Sequence, residues 1–175
     1  MKKLTKLAAA AITGVALFIG TNANAQSDSK LRFGIGAEVG VPTGAAHDGS
    51  NIYAGITPRL QYGADEGLAW TLTSGFYNFF GKSVNGTAGS VKYGDIGMVP
   101  VKVGVKGFFA QNIYFGAEAG AGFETNKGGN TKLIVSPGIG FANQKWDISA
   151  RYENFSGQGV NYGLAGLRVA YGFGL

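Results

Sequence analysis

Cysteine is absent from the 175 residues. No disulfide framework can staple this chain, no thiolate can hold a metal, and an export route that needs a cysteine at the cleavage point is closed. Histidine occurs once, at His47, so no second imidazole can serve as a catalytic base. Charged residues make up only 14% of the chain and form no basic run, and no nucleic-acid-binding motif is present. Sustained 3.6-residue periodicity is missing after the first twenty-five residues. Beyond them no apolar stretch approaches the roughly 18 residues of a membrane-crossing helix.

The one apolar run that exists has the layout of an address. Lys2, Lys3 and Lys6 precede an apolar segment from Leu7 to Gly20, and Ala23-Asn24-Ala25 supplies small residues at the spacing a signal peptidase accepts. Residues 1–25 therefore predict a cleaved export signal, and 26–175 a single domain. The net charge of +5 includes those three lysines, and without them it falls to +2. The remaining domain is close to neutral.

What the chain does contain is glycine, 31 residues of it, and aromatics at 13%. Segments of about ten residues alternate apolar with small or polar side chains and are separated by Gly/Asn/Asp/Ser-rich breaks, the pattern of successive β-strands. Strand one sets Leu31, Phe33, Ile35, Ala37, Val39 and Val41 against Arg32, Gly34, Gly36, Glu38 and Gly40. Strand two, Ile52 to Tyr62, opposes Ile56 and Leu60 to Thr57, Arg59 and Gln61. Strand three begins near Leu68 with Trp70 and Leu72, and its pattern is ambiguous after Ser74. Strand four alternates Val99, Val101, Val103 and Val105 with Pro100, Lys102, Gly104 and Lys106. Strand five (Ile113–Phe123), six (Leu133–Phe141), seven (Trp146–Tyr152) and eight (Leu167–Leu175) repeat the behaviour.

Alternation alone fits a soluble barrel or sandwich, so the chemistry of the two faces has to decide. The apolar face of these strands carries no charge. The other face is glycine punctuated by Arg32, Glu38, Arg59, Lys102, Lys106, Glu118, Glu124, Asp147, Arg151, Glu153 and Arg168, six cations and five anions. A soluble barrel turns its apolar face inward and its charges to water. Near-balanced charges spaced by glycines suit a narrow interior instead, with the charge-free face toward hydrocarbon. The expectation is an all-β, eight-stranded, antiparallel up-and-down transmembrane β-barrel whose lumen holds that charge network.

The breaks between strands alternate in length: 43–51 long, 63–67 short, 80–95 long, 110–112 short, 124–131 long, 143–145 short, 154–161 long. Outer-membrane barrels have short periplasmic turns and longer outer loops. With that orientation, outward aromatics fall near every periplasmic strand end: Phe33, Tyr62, Trp70, Phe109, Phe115, Phe141, Trp146, and Tyr171 with Phe173. Amphipathic rings favour the headgroup level, so this row predicts a periplasmic girdle.

The leader, the eight alternating segments, the stretch IGMVPVKVGVKGFF (Ile96–Phe109) and the closing GLRVAYGFGL (Gly166–Leu175) resemble the small outer-membrane β-barrel domain family common in Bacteroidota, related in architecture to OmpX and the barrel of OmpA. The resemblance implies residence in a cell outer membrane, contact with its lipid, and insertion by the outer-membrane assembly machinery. Many such barrels end in Phe or Trp, whereas this chain ends Phe173-Gly174-Leu175. Leu175 keeps the apolar parity.

Other motifs have plain explanations. Gly34-Ile35-Gly36 lacks the third glycine of a dinucleotide loop, since residue 39 is Val39. The likeness of Gly36–Gly40 to Gly116–Gly120 is compatible with a four-strand duplication, although so small an alphabet produces it by chance more readily. Two sequons, at Asn85 and Asn154, read as loop composition. His47 with Asp48 and Ser50 is the one constellation compatible with a lipid-modifying enzyme, but three polar residues in one loop do not assemble a nucleophile, base and orienting group. No enzyme activity, cofactor, metal or nucleic-acid partner is expected. The expected role is structural or surface-interacting with a lumen filled by charged side chains; the alternative is a low-conductance channel for small solutes.

Overall fold

The computed structural model describes residues 31–63, 67–86, 89–92, 94–157 and 160–174; the expected signal segment, Tyr93 and Leu175 lie outside them. The strands are β1 (Leu31–Gly44), β2 (Ser50–Gly63), β3 (Leu68–Ser74), β4 (Phe76–Gly81), β5 (Ser83–Gly86), β6 (Gly89–Lys92), β7 (Ile96–Ala110), β8 (Ile113–Glu124), β9 (Thr131–Ala142), β10 (Trp146–Gly157) and β11 (Tyr162–Gly174). One short helix, α1 (Ala45–Gly49), joins β1 to β2.

All neighbours are antiparallel, and β1 pairs with both β2 and β11, which closes the sheet. β3 and β4 form one stave of the barrel: β2 and β7 each run past both without a change of register between them. The wall is thus a closed eight-stranded antiparallel barrel. Between the two halves of that stave sits Gly75, at φ 152°, where a side chain would run into the carbonyl oxygen of Ile56. This is the cause of the broken pattern after Ser74: the parity survives, but one residue departs from strand geometry.

Following paired residues once around the wall leads from Phe33 through Leu60, Leu72, Val103, Ala119, Val135, Asn154 and Gly163 to Thr43, ten residues further along β1. A ten-residue stagger over eight strands tilts them by about 40° from the axis. That combination leaves a bore just wide enough for side chains to fill.

The two rims differ. At one, the connections are tight: Asn112 takes a positive φ of 68° between β7 and β8, and the Asn143 side chain accepts the N–H groups of Lys145 and Trp146 at 2.9 and 2.8 Å before β10. Asn tolerates both roles, left-handed backbone and local side-chain turn. The opposite rim carries α1, the β5–β6 hairpin, and residues 125–130 and 160–161. Polar side chains tie part of it down: Asp95 Oδ1 accepts Gly81 N–H at 3.1 Å, and Asn126 Oδ1 accepts Gly97 N–H at 3.0 Å.

Three expected loop boundaries move. The 43–51 segment shrinks to the residues of α1. The 80–95 break begins only after Gly81, so Phe80 belongs to the wall, and the break itself contains the β5–β6 hairpin. The 154–161 break begins after Gly157, which places Asn154 on the outer surface and Phe155 in the bore. In each case ladder pairing with a long neighbour carries the strand beyond the point where its hydrophobic alternation fades.

Replacing Gly75 with valine should destabilise the barrel by about 1–3 kcal/mol, the usual cost of forcing a side chain into so sparsely populated a backbone region. Urea unfolding of the refolded protein measures it.

Candidate functional site

Alternate residues of each stave face the bore, and the bore holds two chemically distinct layers. The polar layer lies toward the tight-turn rim and the middle. Its hub is Glu118 on β8. Glu118 Oε1 accepts from Arg59 Nη2 at 2.8 Å, Thr73 Oγ1 at 2.7 Å and Thr71 Oγ1 at 3.3 Å. Its Oε2 lies 3.2 Å from Arg151 Nη1 and 3.4 Å from Lys102 Nζ.

Three further carboxylates surround the hub. Glu38 accepts from Thr57 Oγ1 at 2.8 Å and faces Arg151 Nη1 at 3.4 Å and Arg168 Nε at 3.5 Å. Glu153 pairs with Lys102 and with Arg151, and accepts from Ser136 Oγ at 3.3 Å. Asp147 pairs with Lys106, accepts from Tyr114 Oη at 2.7 Å, and lies 3.5 Å from Arg59 Nη1. Tyr77 Oη bridges the clusters, 3.1 Å from Glu38 Oε2 and 3.3 Å from Glu153 Oε1. These side chains come from all eight staves, so the network cross-links the wall from within.

Glycine makes room for it. A Cβ on Gly36 would stand 2.6 Å from Arg168 Nε, and Tyr53 Oη occupies the space that a side chain at Gly166 would need. The small residues on the inner face are therefore the seats of large ones from the adjacent or next-but-one stave.

The second layer lies toward the long-loop rim and is apolar: Tyr53, Tyr77, Phe79, Met98, Ile134, Phe155 and Leu164 form one buried cluster, with Tyr162 packed against it. Phe155 and Tyr162 stack at 4.9 Å, and Phe79 meets Tyr162 edge-on at 6.1 Å.

Of the charges expected in the lumen, Glu38, Arg59, Lys102, Lys106, Glu118, Asp147, Arg151, Glu153 and Arg168 meet in the polar layer. Arg32 and Glu124 do not. Arg32 is half-buried at the tight-turn rim, where Nη1 reaches the carbonyl of Asn143 at 3.5 Å. Glu124 is at the other rim, where Oε2 accepts the N–H of Asn130 at 2.9 Å. Both have inward parity, but strand ends lift them out of the packed zone. Lys132, only 2% exposed, was not foreseen. Its inward parity was readable from Leu133 and Val135 on the outward side of the same strand. The apolar layer was not foreseen either, because Tyr53, Met98 and Phe155 occupy inward positions on strands whose inward face is otherwise polar.

On the outer surface, Tyr62, Trp70, Phe109, Phe115, Phe141, Trp146 and Phe173 are exposed near the tight-turn rim, Trp70 at 59% and Phe115 at 61%. Rings touch across staves: Phe109 stacks on Phe115 at 4.6 Å, and Trp146 meets Tyr171 at 5.2 Å. Phe33 departs from the expected exposure. It has outward parity but is 8% exposed, stacked on Phe173 at 6.5 Å.

His47 lies on the exposed helix α1, with its carbonyl accepting from Lys82 Nζ. The Ser50 hydroxyl donates to the carbonyl of Phe80 at 2.6 Å and is packed against the wall. Among the described residues no three His, Asp or Glu side chains converge as metal ligands.

No protein-family model and no curated relative matches the chain. Solved structures do share its fold. The crystal structure of Ail, the attachment invasion locus protein of Yersinia pestis, superposes with a TM-score of 0.57 at 17% identity, covering 84% of this chain and 100% of that one. The N-terminal β-barrel domain of Pseudomonas aeruginosa OprF gives 0.53 at 12% identity over 81% of this chain and 97% of that one. Neisserial surface protein A gives 0.52 at 14% identity over 84% and 98%. These similarities are of fold.

Replacing Glu118 with alanine leaves Arg59 and Arg151 buried without their shortest carboxylate contacts. The expected loss of unfolding free energy is about 3–5 kcal/mol, as for breaking other buried ion pairs from one side. Denaturant titration against the unaltered protein checks it.

Proposed function

We propose that this chain is an integral outer-membrane β-barrel with a structural or surface-interaction role and a lumen closed to solutes. The observation that carries the reading is the outer surface. Between the rims it presents Ile35, Val39, Ile56, Leu72, Val101, Val103, Val135, Ile139, Ile148, Leu167 and Val169, all well exposed, while the charged residues of the same staves turn inward. In water this would be a continuous apolar patch around the whole circumference, far beyond the few hundred Å² that soluble monomers tolerate. In hydrocarbon it is the favourable arrangement.

The dimensions agree. Strands β8, β9 and β10 have twelve residues each. Twelve residues tilted by about 40° climb about 30 Å, enough for the roughly 25 Å apolar band of such barrels together with its aromatic borders. The row of outward aromatics then sits at the periplasmic headgroups, and α1, the β5–β6 hairpin and the two remaining long connections lie outside the cell. Membrane lipid is the first partner, and the assembly machinery of that membrane is the second.

Two features support a closed lumen. The ion-pair network spans the bore from wall to wall, and the apolar cluster lies across the same bore above it. A solute would have to part both. With the interior occupied, the surfaces left for interaction are the outer connections.

Three measurements test this reading. The folded protein should require detergent or lipid and should migrate differently on a denaturing gel before and after boiling; a water-soluble protein without that shift would favour a calycin-like soluble barrel. Val103, at mid-height and 62% exposed, should not accept arginine: Val103→Arg is expected to cost about 2–4 kcal/mol in phospholipid vesicles, where a soluble barrel would lose almost nothing. In planar bilayers no discrete conductance steps should appear, and their appearance would restore the channel reading.

A further inference from the structure

Inside the polar layer the charges do not balance. Among the described residues it holds five cations, Arg59, Lys102, Lys106, Arg151 and Arg168, against four carboxylates, Glu38, Glu118, Asp147 and Glu153. None of these side chains is more than 17% exposed. One positive charge is left over, in a place where an uncompensated charge is costly.

The same layer encloses a space. A cavity of about 30 Å³ lies within it, walled by β2, β3, β7, β8, β9 and β10. Arg59, Lys106 and Arg151 border this cavity, and Glu118 is the one carboxylate that does so among the described residues. Both Glu118 oxygens are already engaged, one by Arg59, Thr71 and Thr73, the other by Arg151 and Lys102. Donors on the cavity wall, by contrast, are left over. Ser149 is 5% exposed, and its Oγ has no hydrogen-bond partner among the described residues. The Tyr114 hydroxyl, on the same wall, gives its proton to Asp147. Arg151 bonds Glu118 and Glu153 through Nη1, which leaves its Nε and Nη2 as donors for another acceptor.

We infer that the folded barrel holds one small monovalent anion of halide size in this cavity, chloride in a saline medium. The ion sits against Arg59, Lys106 and Arg151, accepts the Ser149 hydroxyl, and cancels the surplus charge. Volume sets the class. A water needs roughly 10–15 Å³ of such space, so the cavity takes a halide, which is slightly larger than a water, and is too small for sulfate or phosphate. Waters alone would fill the volume but leave the charge. The ion stays inside the bore, because the apolar cluster lies across the long-loop side. The inference goes beyond the membrane role and does not depend on it, since a barrel that proved water-soluble would keep the same interior.

The test is urea unfolding of the refolded full chain in non-ionic detergent, at constant ionic strength, while chloride replaces gluconate. An ion bound only by the folded state lowers the unfolding equilibrium constant along a saturation curve; with a dissociation constant of about 10 mM, the constant in 100 mM chloride falls about tenfold below that in gluconate. Bromide should act as chloride does. Lys106→Met leaves four cations against four carboxylates and should unfold alike in both salts. Equal stability of the unaltered protein in chloride and gluconate, as expected if the layer sheds a proton instead, overturns the inference. So does a chloride dependence undiminished in folded Lys106→Met. If that variant fails to fold, crystals of the unaltered protein grown in bromide decide the matter: an anomalous bromine peak beside Ser149 and Arg151 upholds the site, and its absence overturns it.

Discussion

Everything inside this protein is constrained by the width of its bore. Eight strands with a ten-residue stagger close at a diameter that admits one layer of side chains from each side and little else. A large inner residue therefore needs a small one opposite or beside it. This is why the inner face alternates glycine with Arg, Lys, Glu and Tyr, and why Arg168 lies over Gly36 and Tyr53 over Gly166. Within that width a carboxylate such as Glu118 is within reach of cations from three other staves, β2, β7 and β10. Closure, in other words, turns a set of separated charges into one network.

The network is more persuasive as a device for specificity than as a source of stability. Moving charges from water into a narrow bore costs several kcal/mol for each, and the ion pairs offset that cost without a large surplus. Their geometry, however, is discriminating. A one-residue slip of any stave would send its charges to the outer face and its valines to the bore. The apolar cluster of Tyr53, Phe79, Met98, Ile134, Phe155 and Leu164 acts differently: apart from the buried Tyr53 hydroxyl it makes no polar demand, and it fills volume between the charged layer and the long-loop rim. The two layers divide the interior between register and seal.

On the outside, the same alternation meets the opposite requirement. Side chains there have no partner to match, only a medium, and the tolerant set of Val, Leu, Ile and Ala is sufficient. Under the proposed membrane placement, the aromatic rings near the tight turns lie where hydrocarbon gives way to headgroups. Phe33, covered by Phe173 although its parity is outward, shows that neighbouring rings can bury one another on this surface even without a core.

Parity was legible from the amino-acid sequence because a strand's side chains alternate with a period of two whatever they pack against. The strand count, the inward set from Glu38 to Arg168 and the outward aromatics all follow from that period. Where strands stop was not legible: the pattern dissolves near Phe80 and Asn154, while backbone pairing with a longer neighbour continues. Nor could periodicity reveal which inward residues meet. The height of a residue along the bore depends on the stagger between staves, a property of the closed sheet that no single strand carries. That height separates Arg59 and Asp147, which lie within ion-pair distance, from Arg32 and Glu124 at opposite rims. It also gathers Met98, Phe155 and Leu164 into one apolar layer, and brings Glu124 and Lys132 to the same inner face near the long-loop rim.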